Sequence, residues 1–240
     1  MKTKTVFFAF VVCLPCTLAA ARPAADGFPK AARWEDAIGQ FEKEDKSNPP
    51  PKHAILFIGS SSIHQWDLSK YFPELETINR GFGGSYISDS VAFADRIVLP
   101  YEPRHIVFYA GDNDVAAGKT PATVAADFKK FVDLVHQHLP DTEISFIAIK
   151  PSIRRWELVD EMRAANALIK KVIENDDLLS YIDVDQPMIG KDGKPSAEFF
   201  AADGLHLNEK GYELWAAVTR PHIAQAPQTI DVDHPPRAIR

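Results

Sequence analysis

The sequence predicts an α/β protein, a three-layer α/β/α sandwich built on a central, mostly parallel five-stranded sheet. Two observations predict it. Five short runs, at residues 54–58, 76–79, 105–109, 144–149 and 181–184, fit buried strands. Between them apolar residues recur at helical spacing: Val91, Ala94 and Val98; Val124, Phe128, Phe131, Val135 and Leu139; Met162, Ala165, Leu168 and Val172. Strands that are apolar on both faces and alternate with helices imply a parallel sheet covered on both sides.

The elements follow in order. Lys2 and Lys4 lead into an apolar run over residues 5–18, and Ala19-Ala20-Ala21 supplies small residues for cleavage, so residues 1–21 are expected to be a secretory signal peptide. The run is too short for a membrane span and contains Pro15. Val12 before Cys13 and Pro15 before Cys16 are poor for a lipoprotein cut. A secreted or periplasmic protein is therefore expected, with no stable membrane insertion after signal removal. Cys13 and Cys16 are the only cysteines, so the processed chain is expected to carry no disulfide and to rest on its core. Residues 22–52 read as a Pro- and Ala-rich leader followed by a short amphipathic helix, with Trp34, Ile38 and Phe41 on one face and Asn48-Pro49-Pro50-Pro51 as its breaker. Residues 53–225 are long enough for one large core and read as one domain, whose last helix starts at Asn208 as N-cap and carries Leu214, Trp215 and Val218. Residues 226–240 form a Pro-rich C-terminal extension.

The formal net charge is −6, and loss of Lys2 and Lys4 makes it more acidic. With no basic stripe, nucleic acid is not an expected partner. The histidines show no ligand spacing, so a metal is not expected.

Three blocks fall where the first three strands end, the edge at which open α/β sheets build their sites. They are Gly59-Ser60-Ser61-Ser62, Asn79-Arg80-Gly81-Phe82-Gly83-Gly84 and Gly111-Asp112-Asn113-Asp114. A fourth, Asp203-Gly204-Leu205-His206, precedes the last helix. A carboxylate three residues before a histidine can hold the ring in the tautomer that accepts a serine proton. Gly59 lets the chain turn sharply into a helix whose N-terminal N–H groups and dipole face a ligand. On chemistry alone any of Ser60, Ser61 and Ser62 can be the nucleophile, or all three can merely cap a helix. Ser61-Ser62-Ile63 lacks the second glycine of a Gly-x-Ser-x-Gly elbow, and no Gly-Lys pair of a phosphate loop is present.

Ser, Gly, Asn and Asp-x-x-His in this order resemble the GDSL/SGNH hydrolase family over residues 53–221. The resemblance implies an SGNH/flavodoxin-like sandwich, with Ser61 as nucleophile, His206 as base and Asp203 as its partner. It also implies an oxyanion hole made from the Ser61 and Gly84 N–H groups and the Asn113 amide. One departure stands out: Ser60 replaces the acid that usually follows the first glycine. The implied activity is serine esterase or acylhydrolase chemistry through an acyl-enzyme, without a cofactor, on a small-molecule or carbohydrate ester. Short acyl groups are favoured, acetyl groups on carbohydrate among them. A lysophospholipase or thioesterase, and a non-catalytic carbohydrate-binding relative, are the alternatives. Trp66, Arg154, Arg155 and Trp156 are candidate substrate contacts, the tryptophans through their faces and the arginines toward an anionic group. Core packing for Trp66 and a helix-entry loop for residues 154–156 are the competing readings.

Overall fold

The computed structural model describes residues 32–223. The expected signal peptide, the first part of the leader and the C-terminal extension lie outside the described residues. Five strands, β1 (Ile55–Gly59), β2 (Thr77–Gly81), β3 (His105–Tyr109), β4 (Glu143–Ile147) and β5 (Leu179–Ile182), form one sheet in the order β2-β1-β3-β4-β5. Every pairing in it is parallel. This is the doubly wound flavodoxin-like order, in which the chain reverses its direction of growth between β1 and β3. Gly59 is level with Gly81 on one side and Tyr109 on the other, so β1, β2 and β3 end along one edge and deliver their following loops to the same place.

Alternation along each strand divides the core in two. Leu56, Ile58, Ile106, Phe108, Ile144 and Phe146 face α1 (Glu35–Ser47), α4 (Ile87–Ala92), α5 (Ala94–Ile97), α7 (Pro121–His138) and α8 (Val159–Ile173). Phe108, Phe128, Phe131 and Phe146 meet ring to ring there. Ile55, Phe57, Val107, Tyr109, Ile147 and Ile182 face α2 (Ser61–His64), α3 (Leu68–Tyr71) and α9 (Glu209–Ile223). Each large side chain fully buried in these layers contributes about 1.5–3 kcal/mol through removal from water. No helix among the described residues is long and apolar enough to cross a membrane.

Strand boundaries differ from expectation for local reasons. β4 stops at Ile147 rather than 149, because the Asn166 side chain takes over at Ile149. Its Oδ1 accepts the Ile149 N–H at 2.9 Å and its Nδ2 donates to the Ile149 carbonyl at 3.0 Å. β2 runs on through Arg80, which is buried under the stem of α1 with Asp45 and Tyr101 as partners. β5 lies two residues earlier than expected, since Asp183 turns the chain by accepting the Asp185 N–H at 2.9 Å. α1 ends at Ser47, just before the proline run, and Asn208 Oδ1 caps α9 by accepting the Gly211 N–H at 3.1 Å.

Candidate active site

Gly59 is fixed by sterics. Its φ is +140°, and a Cβ there would lie 1.8 Å from the Tyr109 carbonyl oxygen. The chain leaves β1 with the Ser60 N–H donating to that same carbonyl at 2.9 Å. Ser61 then opens α2, whose four residues are too few for a substantial dipole; what α2 offers is free N–H groups. Gly81 lets β2 pass against this turn, because a Cβ on it would meet the His64 backbone nitrogen at 2.2 Å.

Geometry separates the three serines. Ser60 and Ser62 are buried, and neither Oγ has a hydrogen-bond partner in the protein. Ser61 is half-buried, and its Oγ lies 3.2 Å from His206 Nε2. His206 Nδ1 is 2.6 Å from Asp203 Oδ2. The free oxygen of Asp203, Oδ1, accepts the Leu205 and His206 N–H groups at 2.9 and 3.0 Å. These backbone donors, led by Leu205 and joined by the His206 ring, hold the Asp203 carboxyl far below the usual carboxylate range. Gly204, at φ +64°, makes the turn possible, and its carbonyl accepts the Arg154 N–H at 3.0 Å.

The two other blocks converge beside Ser61. A Cβ on Gly83 would lie 3.8 Å from Ser61 Cβ, and Gly84 follows at φ +78°. Asn113 stands in α6 (Asp112–Ala116), and its Nδ2 donates to the Ser85 carbonyl at 3.2 Å, which ties the third block to the Gly84 turn. The same turn is anchored below by Asp114, whose carboxylate accepts the Ile87 N–H at 3.2–3.3 Å and pairs with Lys119 at 2.8 Å.

The candidate substrate contacts behave unequally. Trp66 is a core residue, not a pocket rim: it is only 2% exposed and packs against Phe57, Phe72, Tyr212 and Trp215. It faces the α9 layer because its position after α2 turns it inward, away from the Ser61 hydroxyl. Arg155 is committed to protein partners, donating to Asp112 Oδ2 at 2.9 Å and to Asn113 Oδ1 at 3.0 Å. Arg154 is exposed, and Trp156 is half-buried with the Arg163 guanidinium 5.6 Å from its ring.

Sequence reasoning missed a wall supplied from before α1. Trp34 packs edge-on against Phe82, donates from Nε1 to Asp89 Oδ2 at 3.1 Å, and lies 3.5 Å from where a Gly84 Cβ would stand. Arg33 stacks between the Trp34 and Tyr86 rings and donates to the Gly84 carbonyl at 3.4 Å. Helical spacing placed Trp34 in the core, and no local signal links it to a turn fifty residues away. Ile153, 45% exposed, likewise abuts the Gly204 turn.

A profile of the GDSL-like lipase/acylhydrolase family matches residues 59–214. Among solved structures, the chain is similar to a GDSL-like lipase from Bacteroides thetaiotaomicron at 18% identity. That match covers 78% of this chain and 97% of the other with a TM-score of 0.69. A lipase/acylhydrolase from Enterococcus faecalis is 22% identical, over 70% of this chain and 94% of that one, with a TM-score of 0.61. An acetyl xylan esterase is 16% identical over 70% and 98%, with a TM-score of 0.59. No curated protein matched the chain.

Proposed function

Because the chain belongs to the GDSL-like lipase/acylhydrolase family, we propose that it is a serine carboxylic ester hydrolase that works through an acyl-enzyme. The observation that carries this reading is the continuous line from Asp203 through His206 to the Ser61 hydroxyl. In the reaction, His206 Nε2 takes the Ser61 proton as Oγ attacks the ester carbonyl. Asp203, ionised throughout the working range, accepts the Nδ1–H and stabilises the imidazolium. The carbonyl oxygen becomes an oxyanion held by the Ser61 and Gly84 N–H groups and the Asn113 amide. His206 then gives its proton to the leaving alcohol, and water repeats the sequence to free the acid.

Short acyl groups, including acetyl groups on carbohydrate, are the proposed substrates. The Trp34 ring beside Gly84 gives that side of the site an aromatic lining that suits a sugar or aryl group, and the similar fold of an acetyl xylan esterase is consistent with it. The basic, apolar and small-residue pattern of residues 1–21 supports a secreted or periplasmic location.

The test is Ser61→Ala assayed with p-nitrophenyl acetate and with a fluorophosphonate label. Expected are loss of turnover by about three orders of magnitude or more and loss of labelling, with an unchanged urea midpoint. Retained turnover would remove the nucleophile assignment. An unlabelled, inactive wild-type protein would point to a non-catalytic carbohydrate-binding relative.

A further inference from the structure

Behind Asn113 lies a charged cluster that the acyl-transfer steps do not use. Lys150, the residue two positions after the last core alanine of the β4 segment, is only 2% exposed and donates to the Tyr109 hydroxyl at 3.1 Å. Its ammonium also faces Asp112 Oδ2 at 3.4 Å, and Arg155 reaches that same oxygen at 2.9 Å. Burial pulls the Asp112 carboxyl upward, but the Lys150 and Arg155 charges and the Asn113 N–H more than offset it, so Asp112 stays ionised. Burial lowers the Lys150 ammonium, with the Asp112 charge opposing that shift, whereas a guanidinium keeps its charge.

The second Arg155 nitrogen decides how Asn113 sits. A guanidinium only donates, so the Asn113 atom facing it at 3.0 Å is the oxygen. The nitrogen must then be the atom facing the Ser85 carbonyl, which only accepts. Those two contacts use Oδ1 and one of the two Nδ2 hydrogens. The remaining hydrogen is left for the oxyanion.

We propose that Arg155 is a positioning residue for the oxyanion hole, bridging Asp112 and Asn113 so that the Asn113 carboxamide is locked with its spare N–H available and polarised by the guanidinium on its oxygen. This rests on the oxyanion role given to Asn113 above. It replaces a role for Arg155 in binding an anionic substrate, since both terminal nitrogens of its guanidinium already hold protein partners. Preorganised donors of this kind act on kcat because they meet the oxyanion and not the ground-state carbonyl.

The experiment is a double-mutant cycle between Arg155 and Asn113, with the uncharged ester p-nitrophenyl acetate as probe. Arg155→Met is expected to lower kcat about 10- to 50-fold with KM changed less than about twofold. Asn113→Ala is expected to lower kcat about a hundredfold or more. Adding Arg155→Met to Asn113→Ala should then cost less than about twofold more, because the group being positioned is gone. If the two losses multiply in full, or Arg155→Met raises only KM, or the loss is confined to anionic esters, Arg155 does not act through Asn113. A full-rate Asn113→Ala enzyme would fail the oxyanion reading itself, and the proposal with it. Should Arg155→Met not fold, the cycle is run with Arg155→Lys, which keeps the charge toward Asp112 but cannot also bridge to Asn113, and the same outcomes decide.

Discussion

Three adjacent serines fall into two kinds in this chain, and the difference lies in burial and partners. Ser61 Oγ is half-buried beside His206 Nε2, whereas Ser60 and Ser62 place unpartnered hydroxyls in the core. Removing a hydroxyl that makes no protein hydrogen bond forfeits little, and can relieve a desolvation cost. Ser60→Ala and Ser62→Ala should therefore change the free energy of unfolding by less than about 1 kcal/mol and keep most of the activity with p-nitrophenyl acetate. A large loss of kcat in Ser60→Ala, with the fold intact, would show that this serine has inherited a catalytic task from the acid it replaces. The site was legible at this scale wherever its parts are local. Asp203 and His206 share one turn, and Gly59 ends β1, so the family resemblance could be carried onto them residue by residue. Arg33, Trp34 and the true partners of Arg155 were not legible, because their contacts join residues forty to sixty positions apart through the tertiary fold.

At the level of elements, the strand pattern survived except where a side chain intervened in the backbone ladder. Asn166 is the clearest case. Its carboxamide completes both hydrogen bonds of Ile149, so it ends β4 and starts the loop that carries Lys150, Ile153 and Arg155. Apolar periodicity extended the strand to 149 because Ala148 and Ile149 are as buried as their neighbours. Burial alone does not report who supplies the backbone partner. Asn166→Leu keeps the volume roughly constant but leaves a buried N–H and a buried carbonyl unpaired, at about 1–3 kcal/mol each. The free energy of unfolding in urea should fall by about 2–5 kcal/mol. A fall below about 1 kcal/mol at unchanged m-value would mean that Ile149 finds other partners and that Asn166 is not the device that ends the strand.

Across the whole molecule, the two edges of the sheet divide the work. Parallel topology gathers Ser61, Gly84 and Asn113 at the carboxyl edge; the alternation of apolar runs with helical periodicities was enough to predict the five-stranded sandwich, and the motif blocks after the first three runs pointed to that edge. The amino edge was not legible, since nothing local links His105 to partners some forty positions away. There it is 3% exposed, with Nδ1 3.0 Å from Glu143 and Nε2 2.7 Å from Ser145 Oγ, and Ser145 in turn meets Ser180, which faces His222. As a neutral ring it donates from Nδ1–H to Glu143 and accepts the Ser145 hydroxyl proton. Burial, with Arg104 and His222 nearby, pushes the His105 imidazole down to about 4, and burial lowers His222 in the same direction. A folded-state value below that of the unfolded chain means that the unfolded state binds the proton more tightly. The stability this represents is present above the unfolded value near 6.5, declines as pH falls below it, and is gone once pH passes below about 4. For His105 it amounts to about 3 kcal/mol at most. Urea unfolding between pH 4 and 7.5 should show this slope in the wild type, and His105→Gln should flatten most of it while turnover at pH 8 stays near wild type, because the substitution sits at the opposite edge from Ser61. An unchanged slope in His105→Gln would place the acid sensitivity elsewhere. A parallel loss of turnover would mean that the two edges are not independent.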